Sequence, residues 1–221
     1  MGTMVETLAM AKGHEISAAI DETSGALSAS ALGQKIDGSD VAIDFSSATA
    51  VRRNVAACMT GGIALVEGTT GWIENFGEVK AVVERYKGSF VYGANFSIGV
   101  NLFYRIVDHA SELFARFPEY EVFIEEQHHS RKKDAPSGTA LKLKSLVERH
   151  FKNEFSITST RAGNIPGTHR VGFDGPADQV LLEHTARSRE GFAAGALLAA
   201  EWITENKGFY EFSEVIEEIL K

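Results

Sequence analysis

The stretch that decides the fold of this chain is residues 63–71, IALVEGTTG. Four apolar residues and a glutamate lead into a turn that carries two glycines, Gly68 and Gly71. A short apolar run bounded by turn residues is typical of a strand that is buried on both faces. The stretch therefore predicts a strand of a parallel sheet, followed by a loop at its carboxyl end.

The segments on both sides of this stretch repeat the pattern. Strands are predicted at residues 41–45 and 89–92 and helices at 48–59 and 76–86, with short loops between them. A helix at 3–11 and a strand at 15–20 are predicted to precede them. Strict alternation of strand and helix predicts a parallel α/β sheet.

The pattern changes near residue 100. Helices are predicted at 100–117 and 137–151, the second with Leu141 among the positions spaced for burial, and a strand at 120–128. Antiparallel strands are predicted at 156–160, 169–173 and 178–187, and closing helices at 191–204 and 213–220. We predict two domains, one formed by residues 1–98 with 190–221 and the other by residues 99–189.

Composition restricts the classes of function. With 22 basic and 30 acidic residues the formal charge is -8, which argues against a nucleic-acid or anionic-membrane partner. An anionic small substrate remains possible where basic residues converge. The one cysteine, Cys58, is predicted to be a buried, inert thiol. No apolar run approaches the ~20 residues that span a bilayer, and no signal peptide is visible, so the cytoplasm is the expected compartment.

Chemically active side chains concentrate in residues 125–140, EEQHHSRKKDAPSGTA. Strand alternation predicts that Glu126 and His128 share a face, so that the carboxylate could orient the imidazole or raise its pKa. Lys132 offers a cation for a carboxylate or a proton to donate. Residues 136–139 predict a helix start, where backbone N–H groups favour an anion. Singly each feature could be only a loop anchor or a helix cap; together they suit proton delivery to an anionic substrate.

This block resembles the signature Glu-x-His-His-x-x-Lys-x-Asp-x-Pro-Ser-Gly-Thr-Ala of the dihydrodipicolinate reductase family, without a gap from Glu126 to Ala140. Residues 68–71, 94–101, 161–169 and 184–189 are similar to other segments of that family. The resemblance implies an α/β fold, with a Rossmann-like dinucleotide-binding domain at 1–98 and 190–221. It also implies an α+β domain with a mainly antiparallel sheet at 99–189, for substrate binding and assembly into a homotetramer.

The resemblance also implies roles for individual residues. His128 would be the general acid, or would anchor a water that acts as one, and Lys132 a proton donor and carboxylate contact. The residues implied in binding a small dicarboxylate substrate are His129, Ser137, Gly138, Thr139 and Arg189. Those implied in binding NADH or NADPH are Gly2, Asp21, Gly68, Thr69, Thr70, Ala94, Asn95 and Phe96.

The sequence also bears on the cofactor, on metal binding and on the form of the substrate. Asp21 favours NAD over NADP, because a carboxylate repels a 2′-phosphate. No metal is expected, since no cysteine or carboxylate spacing completes a site with His128, His129, His169 or His184. Whether the substrate is the hydroxylated ring or its dehydrated form stays open. In either case the activity implied is nicotinamide-dependent reduction in diaminopimelate and lysine biosynthesis.

The sequence departs from the family at its amino terminus. The family carries Gly-x-x-Gly-x-Met-Gly after its first strand, and Met1-Gly2 matches only the last two positions. We therefore expect the first strand and two glycines to be missing, and this chain to be a fragment or a mis-started product. Two alternatives stay open: an inactive subunit that keeps only the substrate and assembly domain, and another two-domain amino-acid dehydrogenase. The second would have no reason to carry the 126–140 block.

Overall fold

The computed structural model describes residues 1–21 and 27–221, which form two compact units, Met1–Ile98 with Glu190–Lys221 and Gly99–Arg189. The helices are α1 Gly2–Ala11, α2 Ala29–Lys35, α3 Val51–Gly61, α4 Phe76–Arg85, α5 Ile98–Phe114, α6 Gly138–Val147, α7 Glu190–Ile203 and α8 Phe212–Ile219. The strands are β1 Val41–Asp44, β2 Ala64–Glu67, β3 Ser89–Tyr92, β4 Glu121–His128, β5 Ile157–Arg161, β6 Thr168–Asp174, β7 Gln179–Thr185 and β8 Gly208–Glu211.

The first unit is built on a parallel sheet in the order β1-β2-β3-β8. Ala42 and Leu65 face a core that contains side chains of α3 and α4. Ile43 and Phe45 face a second core with α1 and α7. Because both faces of the sheet are covered, β2 is buried along its whole length, as its apolar sequence predicts. The predicted parallel α/β fold is confirmed.

The strand predicted at residues 15–20 is wrong. Residues 14–20 form neither helix nor strand, and β2 is the only neighbour of β1 in the sheet of the described residues. A strand exists by pairing, because its N–H and C=O groups need partners on a neighbouring strand. Ile16 and Ala18 pack against different cores instead of lining one face, and Ile20 is exposed. Alternation of apolar and polar residues is thus not enough to form a strand when no neighbouring strand is available for pairing.

The second unit is a mixed sheet in the order β5-β4-β6-β7. β6 runs antiparallel to both β4 and β7, so the mainly antiparallel sheet is confirmed. β5 was predicted as antiparallel, but it pairs parallel with β4, since α6 lies between them in sequence and allows a crossover. One face of the sheet, with Ile124 and Val171, packs on α5 and α6. Leu141 was predicted to be buried, but it lies on the exposed side of α6.

Two further features bear on function. Within the described residues, the structure contains no helix long and apolar enough to cross a lipid bilayer. Cys58 lies buried in α3, where burial, with smaller contributions from Asp44 and Glu67, raises the pKa of its thiol to about 12. The thiol is therefore protonated near neutral pH, as expected for an inert cysteine.

Candidate functional site

The predicted catalytic pair is positioned by the alternation of β4. Val122 and Ile124 point from one face of the strand into the core, and Glu126 and His128 point from the same face farther along. Their partners in the ladder continue the pattern, because Arg161 of β5 lies opposite His128 and His169 of β6 lies opposite Glu126. Residues in register on neighbouring strands share a face. The end of one sheet face thus collects two histidines, a carboxylate and a guanidinium.

Glu126 is the centre of this group and is fully buried. Arg161 binds it with its two terminal guanidinium nitrogens, Nη1 to Oε2 at 3.0 Å and Nη2 to Oε1 at 2.6 Å. The Ser137 amide also donates to Oε1, at 3.2 Å. Burial alone would raise the pKa of Glu126, but hydrogen bonds from Arg161, Ser159 and His128 lower it to about 2. Glu126 is therefore an anion at neutral pH.

His128 is held through one ring nitrogen. Its Nδ1 contacts Glu126 Oε2, so the predicted orienting role of the carboxylate agrees with the geometry. Burial is the largest influence and leaves the pKa of His128 lowered, although Glu126 does raise it in part, as suggested. Gly167 has a φ of 141°, and a Cβ at that position would lie 3.1 Å from Nε2. A glycine therefore leaves space beside the ring nitrogen that Glu126 does not hold.

The predicted helix start lies beside this pair. Ser137 caps α6, and its Oγ accepts from the Ala140 amide at 3.2 Å while also contacting His169 Nε2 at 3.0 Å. Gly138 is the exposed first residue of α6, with no atom within 4 Å of the place where a Cβ would be. The N-terminus of a ten-residue helix thus faces open space, which suits an anion.

The remaining predicted substrate residues are placed differently. Lys132 Nζ forms a 2.8 Å ion pair with Asp134 Oδ1, which lowers the pKa of that carboxyl. The Nδ1 of His129 is buried without a hydrogen-bond partner among the described residues. Arg189 is exposed at the end of this unit, just before α7, and within the described ranges it forms no hydrogen bond or ion pair with His128 or Lys132. The structure therefore groups Glu126, His128 and Ser137 and leaves Arg189 apart.

Sequence reasoning missed Arg161 and His169 as members of this site. Burial, followed by the charges around it, lowers the pKa of His169 to about 4, so it is neutral at pH 7. A signal was present: both residues lie in the 161–169 segment, near the ends of two strands. The sequence did not give the register between strands, which is what places them beside Glu126.

A metal was not expected here. Glu126, His128 and His169 do bring one potential ligand atom each within 4.8 Å of one another, a group found among the described residues. Both oxygens of Glu126 are, however, bound by Arg161, and one also contacts His128. A cation would have to displace a guanidinium, so the donor set fits a hydrogen-bonded dyad better than a metal.

Two of the predicted cofactor segments lie at the carboxyl edge of the parallel sheet. Residues 68–70 follow β2 and residues 94–96 follow β3. A Cβ at Gly68 would lie 2.1 Å from the ring of Phe45, and Phe96 packs edge-on against that ring with centroids 6.2 Å apart. Met1, which precedes Gly2 at the start of α1, packs against the same core as Phe45. Asp21 is exposed and lies next to the undescribed residues 22–26.

These features suit a dinucleotide. In open α/β sheets such ligands bind outside the carboxyl ends of the strands. The first turn of α1 carries no acidic residue and no side-chain cap, so its N–H groups can face a pyrophosphate. Thr69 Oγ1 is buried without a hydrogen-bond partner among the residues described. The fold and the two sites define a two-domain, Rossmann-type oxidoreductase.

Comparison with known proteins identifies the family. A sequence model described as "Dihydrodipicolinate reductase, N-terminus" matches residues 1–96, and one described as "Dihydrodipicolinate reductase, C-terminus" matches residues 99–216. The chain belongs to the dihydrodipicolinate reductase family, whose members are nicotinamide-dependent oxidoreductases.

Individual relatives agree with this assignment. The chain is 36% identical to the 4-hydroxy-tetrahydrodipicolinate reductase of Christiangramia forsetii, over 82% of this chain and 81% of the relative. It is 35% identical to that of Methanosarcina barkeri, over 80% and 73%. Its fold is similar to a dipicolinate-bound dihydrodipicolinate reductase from Paenisporosarcina sp. TG-14, with a TM-score of 0.65 and 24% identity, over 80% and 73% of the two chains.

Proposed function

We propose that this chain reduces 4-hydroxy-tetrahydrodipicolinate, or its dehydrated form, to tetrahydrodipicolinate in diaminopimelate and lysine biosynthesis. The observation that carries the proposal is the buried Glu126–His128 pair beside the N-terminus of α6. The proposal is supported by membership of the dihydrodipicolinate reductase family, because relatives of this chain are named 4-hydroxy-tetrahydrodipicolinate reductases.

The substrate is a small dicarboxylate, and the second unit offers several groups for its two anions. Gly138 and Thr139 open α6, so one carboxylate binds at the helix N-terminus. Lys132 exchanges its ion pair with Asp134 for the other carboxylate. The buried Nδ1 of His129 gives a further polar contact, and Ser137 holds the helix start in place. We assign Arg189 a more distant electrostatic role.

Proton delivery falls to His128. In the protein without substrate its pKa is lowered, chiefly by burial, so the ring is neutral near pH 7. A dianionic substrate placed next to Nε2 favours the charged imidazolium, because an opposite charge stabilises it. We infer that His128 takes up a proton as substrate binds and then donates it to the ring through Nε2, while Glu126 holds Nδ1. Lys132 is the second proton donor, or stabilises the water that carries the proton.

The first unit binds the nicotinamide nucleotide that supplies hydride to the substrate ring. Gly2 offers the α1 N-terminus to the pyrophosphate, and residues 68–70 and 94–96 border the nicotinamide side. We propose NADH as the preferred form, because the Asp21 carboxylate accepts hydrogen bonds from ribose hydroxyls and repels a 2′-phosphate. Replacement of Asp21 by alanine is expected to narrow the preference for NADH over NADPH, measured as the ratio of the two kcat/KM values.

We also propose that the protein acts as a homotetramer in the cytoplasm. Support for assembly comes from β7, an edge strand of the second sheet, in which Val180 is 38% and Leu181 46% exposed. An edge strand with exposed apolar residues is suited to pairing with another copy. Light scattering after gel filtration tests assembly, and a monomer at micromolar concentration would contradict it. Cell fractionation tests the compartment.

The function is tested by following NADH absorbance with the ring substrate generated in situ. The His128→Ala, Lys132→Ala double variant is expected to lose about 10²–10⁴-fold in kcat, because it removes both proton donors. The matched control is His109→Ala with Lys133→Ala, which removes an exposed histidine and an exposed lysine outside the Glu126 network. Equal activity of the double variant and the wild type would refute the assigned acids. Absence of turnover by the wild type, with NADH bound, would contradict the reaction itself.

A further inference from the structure

A second pair of acidic side chains lies in the first unit, outside the groups assigned above. Asp44 and Glu67 are the last residues of β1 and β2, and they are directly in register in the parallel ladder. Both side chains therefore point to the same face of the sheet, toward α3. Glu67 is fully buried and Asp44 is 8% exposed.

Among the residues that the structure describes, no cationic side chain forms an ion pair with either carboxyl. The Asp44 carboxylate accepts from the Ser46 amide at 2.8 Å and from Asn54 Nδ2 at 2.6 Å. Glu67 Oε1 accepts from the Thr69 amide at 2.8 Å, and Glu67 Oε2 has no donor among the described residues. In the described ranges, neither carboxyl forms an ion pair with a lysine, arginine or histidine.

Two adjacent buried carboxyls without a cation repel each other when both are charged, so one of them keeps its proton near neutral pH. Oε2 of Glu67 is the oxygen that can carry a proton, because Oε1 already accepts from the Thr69 amide. Protonated there, Glu67 can donate to Asp44, which is its register partner at the end of β1. Consistent with this, burial and then the charge of Asp44 raise the pKa of Glu67 to about 9.

The pair is tied to the loop at residues 68–70. The Gly68 amide donates to the Asp44 carbonyl at 2.8 Å, and the Thr69 amide donates to the Glu67 carboxyl. Gly68 also packs against the Phe45 ring so closely that a Cβ has no room. Two successive amides of the loop are thus held by the ends of β1 and β2, and one of them by the acid pair itself.

We propose that Glu67 is a neutral carboxylic acid that shares its proton with Asp44, and that this pair positions residues 68–70 for the nicotinamide nucleotide. Glu67 is a positioning residue that acts through the loop backbone. Ionisation of Glu67 places two negative charges side by side at the end of the sheet, which separates the strand ends and displaces Thr69. The proposal rests on the proposed function only for the identity of the cofactor.

The other titratable groups around Asp44 and Glu67 are not expected to produce a transition near pH 9. Cys58 faces it from α3, and burial raises the pKa of that thiol to about 12. Tyr92 is the register partner of Glu67 on β3, and burial and then Glu211 and Glu214 raise the pKa of its phenol. Arg53 binds the Oδ1 of Asn54, whose Nδ2 in turn donates to Asp44. A transition near pH 9 is therefore assigned to Glu67.

The first arm of the test is an infrared difference spectrum between the wild type and Glu67→Gln at about pH 7. The wild type is expected to show the carbonyl band of a protonated carboxylic acid, which glutamine removes. Glutamine keeps an acceptor for Thr69 and a donor for Asp44 but cannot ionise. If the glutamine variant does not fold, Asp44→Asn replaces it, and the acid band is expected to disappear at lower pH than in the wild type. A wild type without the band at pH 7 overturns the proposal.

The second arm measures NADH affinity by fluorescence from about pH 6 to about pH 10.5, without the ring substrate. The dissociation constant of the wild type is expected to rise about tenfold for each pH unit above the pKa. That of Glu67→Gln is expected to stay level, and the exposed-residue control Glu74→Gln is expected to follow the wild type. Parallel curves for the wild type and Glu67→Gln overturn the proposal. Neither arm uses turnover, so failure of the reductase reaction is recognised separately.

Discussion

Among the described residues two glutamates are fully buried, one in each unit, and the fold shifts their pKa values in opposite directions. Glu126 lies against Arg161, and its pKa is lowered to about 2 although burial alone would raise it. Glu67 lies against another carboxyl, and burial together with Asp44 raises its pKa to about 9. The residue type and the exposed fraction are the same. The neighbouring side chain decides whether the buried acid is charged.

The difference fits the separate tasks that we propose for the two units. A charged Glu126 orients His128 and prepares it to hold a proton next to a dianion. A neutral Glu67 fixes a loop that has to accept a cofactor carrying several negative charges, and an extra anion there would oppose binding.

The largest effect is expected from removing the cation beside Glu126. Arg161→Leu leaves a buried carboxylate unpaired and is expected to reduce the free energy of unfolding by about 3–5 kcal/mol. Urea unfolding followed by circular dichroism measures it. The exposed Arg131→Leu is the control and is expected to change stability by less than about 0.5 kcal/mol. The double variant Arg161→Leu, Glu126→Leu is expected to recover most of the loss; no recovery would show that the charge is not the cause.

Around Glu67, stability should instead depend on how closely the loop at residues 68–70 packs. Gly68→Ala places a Cβ against the Phe45 ring and is expected to cost about 1–3 kcal/mol of unfolding free energy. Gly77→Ala in α4 is the matched control, because a Cβ there meets nothing within 4 Å, and helix propensity predicts a gain of up to about 1 kcal/mol. Equal effects of the two substitutions would contradict the close approach of loop and ring.

The two glutamates should give opposite pH dependences of stability. Glu126 has a lowered pKa, so its contribution is present above its ordinary pKa near 4.5 and is lost as the pH falls through about 2. Glu67 has a raised pKa, so its contribution is present below 4.5 and is lost as the pH rises through about 9. The measurement is the difference in unfolding free energy between the wild type and Glu126→Gln below pH 4.5, and between the wild type and Glu67→Gln above it. Each difference should change by up to about 1.4 kcal/mol per pH unit. If the two stability differences changed with pH in the same direction, the opposite pKa shifts of the two glutamates would be contradicted.

The smallest effect concerns the helix that Glu126 supports. Ser137→Ala removes the cap of α6 and the contact with His169, and the backbone bond to Glu126 remains. A lost cap costs about 1 kcal/mol. Ser28→Ala, which removes the cap of α2 without any histidine contact, is the matched control. The Ser137 variant should be less stable than this control by about 0.5–1.5 kcal/mol, and equal losses would show that the His169 contact contributes nothing.

The sequence predicted much of the fold because the apolar patterns agreed with the packing. The run at residues 63–66 is apolar on both sides and is buried on both sides. The 15–20 segment failed for the opposite reason, since its alternation had no neighbouring strand to pair with. Strand β8 was not predicted, because GFYE is short and stands between two helices. The parallel pairing of β5 with β4 could also not be predicted from the sequence of β5.

For the substrate site, the sequence by itself determined that Glu126 and His128 share a face and that a helix starts near Ser137, because both depend on local periodicity and capping. Only the tertiary structure decided that Arg161 and His169 join them, since the register between strands depends on the packing of the whole sheet. It also decided the charge of each buried glutamate. A pKa is set by the groups that folding brings within a few ångströms, and neither Arg161 beside Glu126 nor Asp44 beside Glu67 is adjacent in sequence.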